Sequence, residues 1–198
     1  MASNNYIYKM SNAGGMSTVT RYTDMLAGNT TWTPWTPEGA YDALATVNIS
    51  TATSSVTFAG IPTGYKHLQI RFNVLPSLVN QYSTLRFNGD TTTSNYRYHY
   101  LVGQGSGSGA AGTAQNAYSG TYDSTSSPGS GILDILDYSS SVKNKTTREL
   151  SGYDGNGAGN IYLISNVWMS TAPITSINLT IAGGNYAVNT QFALYGVK

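Results

Sequence analysis

The chain has no cysteine among its 198 residues, which excludes disulfide staples, thiol nucleophiles and thiolate metal sites together. Charge is scarce as well. Asp, Glu, Lys and Arg make up 10% of the sequence, and ten basic residues against nine acidic ones leave a formal net charge of +1. A balance so small and dispersed offers neither a phosphate-tracking stripe nor a polybasic patch, so nucleic acid and membrane surfaces are not expected partners. No apolar run is long enough to span a bilayer, and the opening stretch from Met1 to Lys9 has no secretory core. The expectation is a protein made in the cytoplasm that stays soluble.

Catalytic vocabulary is thin. No serine sits in a Gly-x-Ser-x-Gly elbow, and no glycine loop leads into Lys-Ser or Lys-Thr at a helix start. The two histidines, His67 and His99, both fall in strand-like runs and read as ordinary imidazoles. Asp134 and Asp137 are near neighbours, but three residues apart on a strand they point to opposite faces and cannot form a glycosidase pair. Lys143, Lys145, Arg148 and Glu149 read as cross-strand or solvated partners. No catalytic residue, cofactor or metal is therefore assigned. The run Asp154-Gly155-Asn156-Gly157-Ala158-Gly159-Asn160 resembles part of a calcium loop. It lacks the fifth-position oxygen and the distal glutamate, and a plain Gly-Asn turn is the other reading.

What is abundant is alternation. Val56 and Phe58 alternate with Ser55 and Thr57; Leu68, Ile70, Phe72 and Val74 with Gln69, Arg71 and Asn73; Ile177, Leu179 and Ile181 with Asn178 and Thr180. Successive strand side chains point to opposite faces, so this period of two specifies antiparallel strands with one face buried. Strands are expected at 43–50, 55–59, 66–75, 83–88, 96–102, 131–136, 145–151, 160–168, 175–181 and 190–197, separated by turns such as Asn88-Gly89-Asp90 and Ala182-Gly183-Gly184-Asn185. Ten short strands at this spacing predict an all-β fold, an antiparallel β-sandwich of jelly-roll-like type.

Residues 1–39 differ from the sandwich domain at 40–198. Gly14-Gly15, Gly28-Asn29 and Trp32-Thr33-Pro34-Trp35-Thr36-Pro37 favour an extended arm, yet that arm is rich in apolar side chains. Tyr22, Met25, Trp32 and Trp35 are the candidate docking residues, with a neighbouring subunit as the expected surface. Two insertions break the strand rhythm, a long Gly- and Ser-rich segment at 103–128, read as structureless, and a loop at 152–160. If both sit at one end of the sandwich they form its recognition face, for which Gln104, Ser106, Ser108, Tyr118, Tyr122, Asp154 and Asn156 are the candidates. The run Tyr96-Arg97-Tyr98-His99-Tyr100 places three tyrosines on one side of a strand, either for cross-strand packing or as a sugar-stacking platform.

Several segments resemble small virion proteins of tailed bacteriophages: the arm from Asn12 to Asn29, Tyr41-Asp42-Ala43-Leu44-Ala45-Thr46, the run from Phe58 to Leu68, Leu85-Arg86-Phe87-Asn88-Gly89-Asp90, and Phe192-Ala193-Leu194-Tyr195-Gly196-Val197. The resemblance implies a β-sandwich or jelly-roll module of a tail fibre, tail tip or head decoration, commonly homotrimeric and with no catalytic residues. It implies a virion location, attachment to other virion proteins through the arm, and a host glycan or protein as external partner. No repeat or heptad is present to build a shaft, so a knob or tail appendage is expected first and a capsid decoration protein second. A polysaccharide depolymerase has no supporting constellation.

Overall fold

The computed structural model describes residues 6–10, 16–21, 39–105, 107–114, 116–155 and 158–198. The chain divides into two compact units, Met1–Gly39 and Ala40–Lys198. In the first, β1 (Tyr6–Met10) and β2 (Met16–Arg21) pair antiparallel, Tyr6 opposite Arg21. Tyr22, Met25, Trp32 and Trp35 lie outside the described residues.

The second unit is built from β3 (Tyr41–Asn48), β4 (Ser55–Ala59), β5 (His67–Val74), β6 (Gln81–Phe87), β7 (Tyr96–Gln104), β8 (Gly107–Ala114), β9 (Tyr118–Tyr122), β10 (Gly129–Leu136), β11 (Lys145–Asp154), β12 (Gly159–Trp168), β13 (Ser176–Ile181) and β14 (Gln191–Val197), with one 3-10 turn at Thr93–Asn95. They form two sheets, β3-β14-β5-β10-β11-β12-β7-β8 and β4-β13-β6-β9, with every pairing antiparallel. Eight of the strands, taken in chain order, follow the jelly-roll path. β3-β14-β5-β10 makes one four-stranded layer, β4-β13-β6-β9 faces it, and the chain crosses between layers at each step except β6 to β9. The other four are insertions. The hairpins β7–β8 and β11–β12 both join the first layer beyond β10, which widens that sheet past the edge of its partner.

Alternation sorts side chains as the sequence predicts. Val56 and Phe58 of β4, Ile177, Leu179 and Ile181 of β13, and Leu68, Ile70, Phe72 and Val74 of β5 are buried between the layers. An aromatic cluster fills the centre. Phe72 lies 6.2 Å from both Tyr122 and Phe192, and Tyr186 lies 5.1 Å from Phe192. The buried Tyr122 and Tyr186 hydroxyls converge on Ser83 Oγ at 3.0 and 2.6 Å, so two polar tips in an apolar core satisfy each other through one serine. Asn88 (φ 52°) and Gly89 (φ 71°) make the predicted left-handed turn, and Asn88 Oδ1 accepts the Thr175 and Ser176 N–H groups, tying that turn to the start of β13.

Two expectations are corrected. The segment 103–128 is not structureless, since it contains β8 and β9; Gly, Ala and Ser carry no alternation to mark β8, and Gly120 (φ 65°) bulges β9 out of period. Lys145 and Glu149 are not solvated but buried. The Lys145 ammonium donates to the carbonyls of Ser140, Lys143 and Thr171 at 2.7–3.0 Å. Glu149 Oε1 accepts the Gly120 N–H (2.6 Å) and Ser151 Oγ–H (2.7 Å), and Oε2 accepts Ser119 Oγ–H (2.6 Å).

Candidate functional site

Strand register brings the two predicted recognition loops to one end of the sandwich. Gln104 stands opposite Asn160, Asn160 opposite Tyr153, and Gly159 opposite Asp154, so the β7–β8 turn and the β11–β12 turn are neighbours. Between them and the start of β10 opens a cleft of about 870 Å3, lined by Gln104, Asp154, Asn160, Gly152, Ser130 and Ile161 among others. That volume falls within the range of about 300–1,000 Å3 typical of ligand sites. Glycine makes the room and also holds the turn together: a Cβ on Gly152 would lie 2.3 Å from the Asn160 carbonyl oxygen, and one on Gly159 would lie 2.6 Å from that of Tyr153. At the rim Asn160 Nδ2 donates to Asp123 Oδ2, while Asn160 Oδ1 is buried without a partner.

Of the sequence-predicted residues, Gln104 and Asp154 are exposed on this cleft. Ser108 stands opposite Gly103 in the β7–β8 register, whereas Ser106 and Asn156 lie outside the described residues. Tyr122 is a correction. It was expected on an exposed loop, but it is fully buried because β9 faces the core of the wide sheet. Tyr118 is half-buried in a stack, and burial pushes its hydroxyl well above the ordinary tyrosine range. Its ring sits 4.6 Å from Tyr82, 5.4 Å from Tyr98 and 6.0 Å from Tyr100, with interplanar angles of 20–27°. Tyr98 and Tyr100 therefore serve cross-strand aromatic packing, with Tyr162 5.4 Å from Tyr100 extending the group along β12. The stack wedges the overhanging β7 against the edge of the smaller sheet. Among the described residues no cluster of three His, Asp or Glu side chains assembles in metal-binding geometry.

Sequence reasoning missed the most distinctive surface. On the outer face of the wide sheet, Ile132 is opposite Leu150, Leu150 opposite Leu163, and Leu163 opposite Leu101. These four aliphatic side chains form one straight ladder across four strands, each 44–53% exposed, and Ile161, 56% exposed, joins it to the cleft. The next row inward reads Asp134, Arg148, Ser165 and His99, so a polar margin borders the apolar ladder. Single exposed aliphatics are ordinary, but a contiguous, polar-rimmed group marks an interaction surface. The available signal was the set of adjacent apolar pairs, Leu101-Val102, Ile132-Leu133 and Leu163-Ile164, which make both faces of a strand apolar. Nothing in one sequence supplies the register that lines them up.

The charged and polar groups around this face act structurally. Gln69 Nε2 donates to Asp134 Oδ1 (2.8 Å), and Arg148 reaches Ser165 Oγ at 2.7 Å. Asp137 lies in the turn after β10 (φ 46°), where strand alternation no longer applies, and pairs with Lys143 at 2.7 Å. At the opposite end of β12, Asp90 accepts hydrogen bonds from Asn95 Nδ2 (2.8 Å), the Trp168 indole N–H (2.7 Å) and the Thr92 N–H (2.9 Å), which hold its carboxyl down at about 2. Comparison with protein-family models, with curated proteins and with solved structures gave no match to this chain.

Proposed function

We propose that this chain is a non-enzymatic structural protein of a tailed-phage virion, a tail appendage whose sandwich contacts the host surface. The observation that carries the reading is the open cleft at the loop end of the sandwich, where the β7–β8 and β11–β12 turns of the two inserted hairpins meet on the widened layer of a jelly roll. The jelly roll recurs in viral capsid and lectin domains, which is support by analogy of fold. The segments quoted above that resemble phage virion proteins supply the rest. A glycan or protein of the host would be held weakly at each cleft, and repetition over several copies supplies the avidity.

Antibody raised against the recombinant protein, followed by gold labelling of intact virions in the electron microscope, tests this. Label at the tail is the expected result. Label spread over the head would replace the appendage with a decoration protein that reinforces the shell, and virions without label would end the virion reading.

A further inference from the structure

We propose that the aliphatic ladder is the contact between two copies of this chain, packed sheet face on sheet face about a two-fold axis. The inference is independent of where the protein is used. Its first support is the self-complementarity of the face. A two-fold axis lying in the face and running along the strands between β11 and β12 exchanges β11 with β12 and β10 with β7. Leu150 then meets Leu163 of the second copy, and Ile132 meets Leu101 of the second copy. An isologous contact requires such a match of a patch with itself.

The second support is the polar margin. The same operation sets Asp134 against His99 of the second copy and Arg148 against Ser165 of the second copy, each pair occurring twice. A carboxylate thus faces an imidazole, and no like charges collide along that row. The other two-fold choice, with the axis along the ladder, sets Arg148 against Gly152 and Asp134 against Ser130, and leaves both charges without a partner across the contact.

Size is the third support. Five neighbouring strands, β5-β10-β11-β12-β7, at about 4.8 Å spacing and four outward rows at about 6.7 Å mark out roughly 24 by 27 Å, or about 650 Å2, inside the roughly 600–1,000 Å2 per partner of standard interfaces. Two twisted sheets also pack naturally with their strands near −30°, so the ladders can interdigitate without bending either layer.

Sedimentation velocity on the full chain, at concentrations from about 1 to 100 µM, decides the matter. The wild type is expected as a dimer, or as a larger assembly built from dimers. Leu150→Lys and Leu163→Lys each remove two apolar contacts per dimer and place ammonium groups in the seam, so both should weaken association at least 100-fold. Both positions are half exposed in the single copy, so an unchanged far-UV spectrum and a single cooperative melt are expected, the melt lowered only by the loss of the dimer's contribution. Asp134→Lys should weaken the dimer, and adding His99→Asp should restore it by exchanging the two partners. A wild-type monomer throughout the range overturns the proposal. So does a trimer or other assembly untouched by both lysines, or a partner exchange that restores nothing.

Discussion

At the scale of single residues, Asp90 and Glu149 respond to acid in opposite senses. Asp90 is held at about 2 by Asn95, Trp168 and Thr92, against an ordinary 3.8 in the unfolded chain. A folded value below the unfolded one gives stability that is present above about 3.8 and lost as pH falls toward 2. That contribution is about 1–2 kcal/mol after allowance for the solvent that screens a half-buried carboxylate. Glu149 runs the other way. Burial between the sheets raises it above the ordinary 4.5, and the hydrogen bonds from Ser119, Ser151 and Gly120 only partly offset the cost of desolvating the charge. Its contribution is complete below 4.5 and declines as pH rises through the raised folded value. Thermal melts from pH 2 to pH 8 should therefore show an acid limb that Asp90→Asn flattens and a separate downward slope above pH 4.5 that Glu149→Gln flattens. A Glu149→Gln curve parallel to the wild type would remove the charged buried carboxylate from the account. Neither role could be read from the sequence. Glu149 is one charged residue in an alternating run, and its burial depends on Ser119 and Gly120, which reach it only because β9 packs over β11.

At the scale of elements, period-two alternation located all ten strands it was asked to find; it is clearest in β4, β5, β6, β11 and β13, where alternate side chains are buried between the layers, and weakest in β3 and β7, where few or none are. It failed where that physics does not apply. β8 is a run of Gly, Ser, Ala and Thr with no large apolar residue, and β9 is broken by its glycine bulge, so neither carries a readable period. The loop end of the sandwich was legible in part. Loop composition put Gln104 and Asp154 at exposed turns, and both line the cleft, whereas Tyr122 was misplaced by mistaking a core strand for a loop. Glycines inside strands show the same limit. Gly131 reads as a weak point in β10, yet a Cβ there would lie 2.4 Å from Phe72 Cζ and 2.7 Å from Ser151 Cβ. The Phe72 ring lies over the bare backbone and occupies the missing side chain's place. Gly131→Val should therefore cost about 2–3 kcal/mol despite the better strand propensity of valine. Gly64→Ala, where nothing lies within 4 Å of the new methyl, should change stability by less than about 0.5 kcal/mol. Urea titrations of the two variants compare them directly, and equal midpoints would refute the steric account.

At the scale of the whole molecule, Ala40–Lys198 contains everything the jelly roll needs. Both four-stranded layers, the Phe72–Tyr122–Tyr186–Phe192 centre and the polar knot at Ser83 lie inside it. The β5–β14 and β14–β3 ladders run on past the strand ends, where Lys66 N–H donates to the Val197 carbonyl and Lys198 N–H to that of Ala40. Every residue of the described hydrophobic core belongs to this unit. Cooperative folding follows the core, so a chain lacking residues 1–37 should melt within a few degrees of the full-length protein, in one transition. The division of labour in the virion reading makes a second demand on the same truncation. If the N-terminal unit supplies attachment and the sandwich supplies contact with the host, the truncated protein should fold, retain the cleft and the ladder, and fail to enter particles when it replaces the full chain during phage growth. Calorimetry and particle composition are read on one sample. A truncated chain that does not fold removes the independence of the sandwich, and one that folds and still enters particles moves the attachment surface from the N-terminal unit onto the sandwich itself.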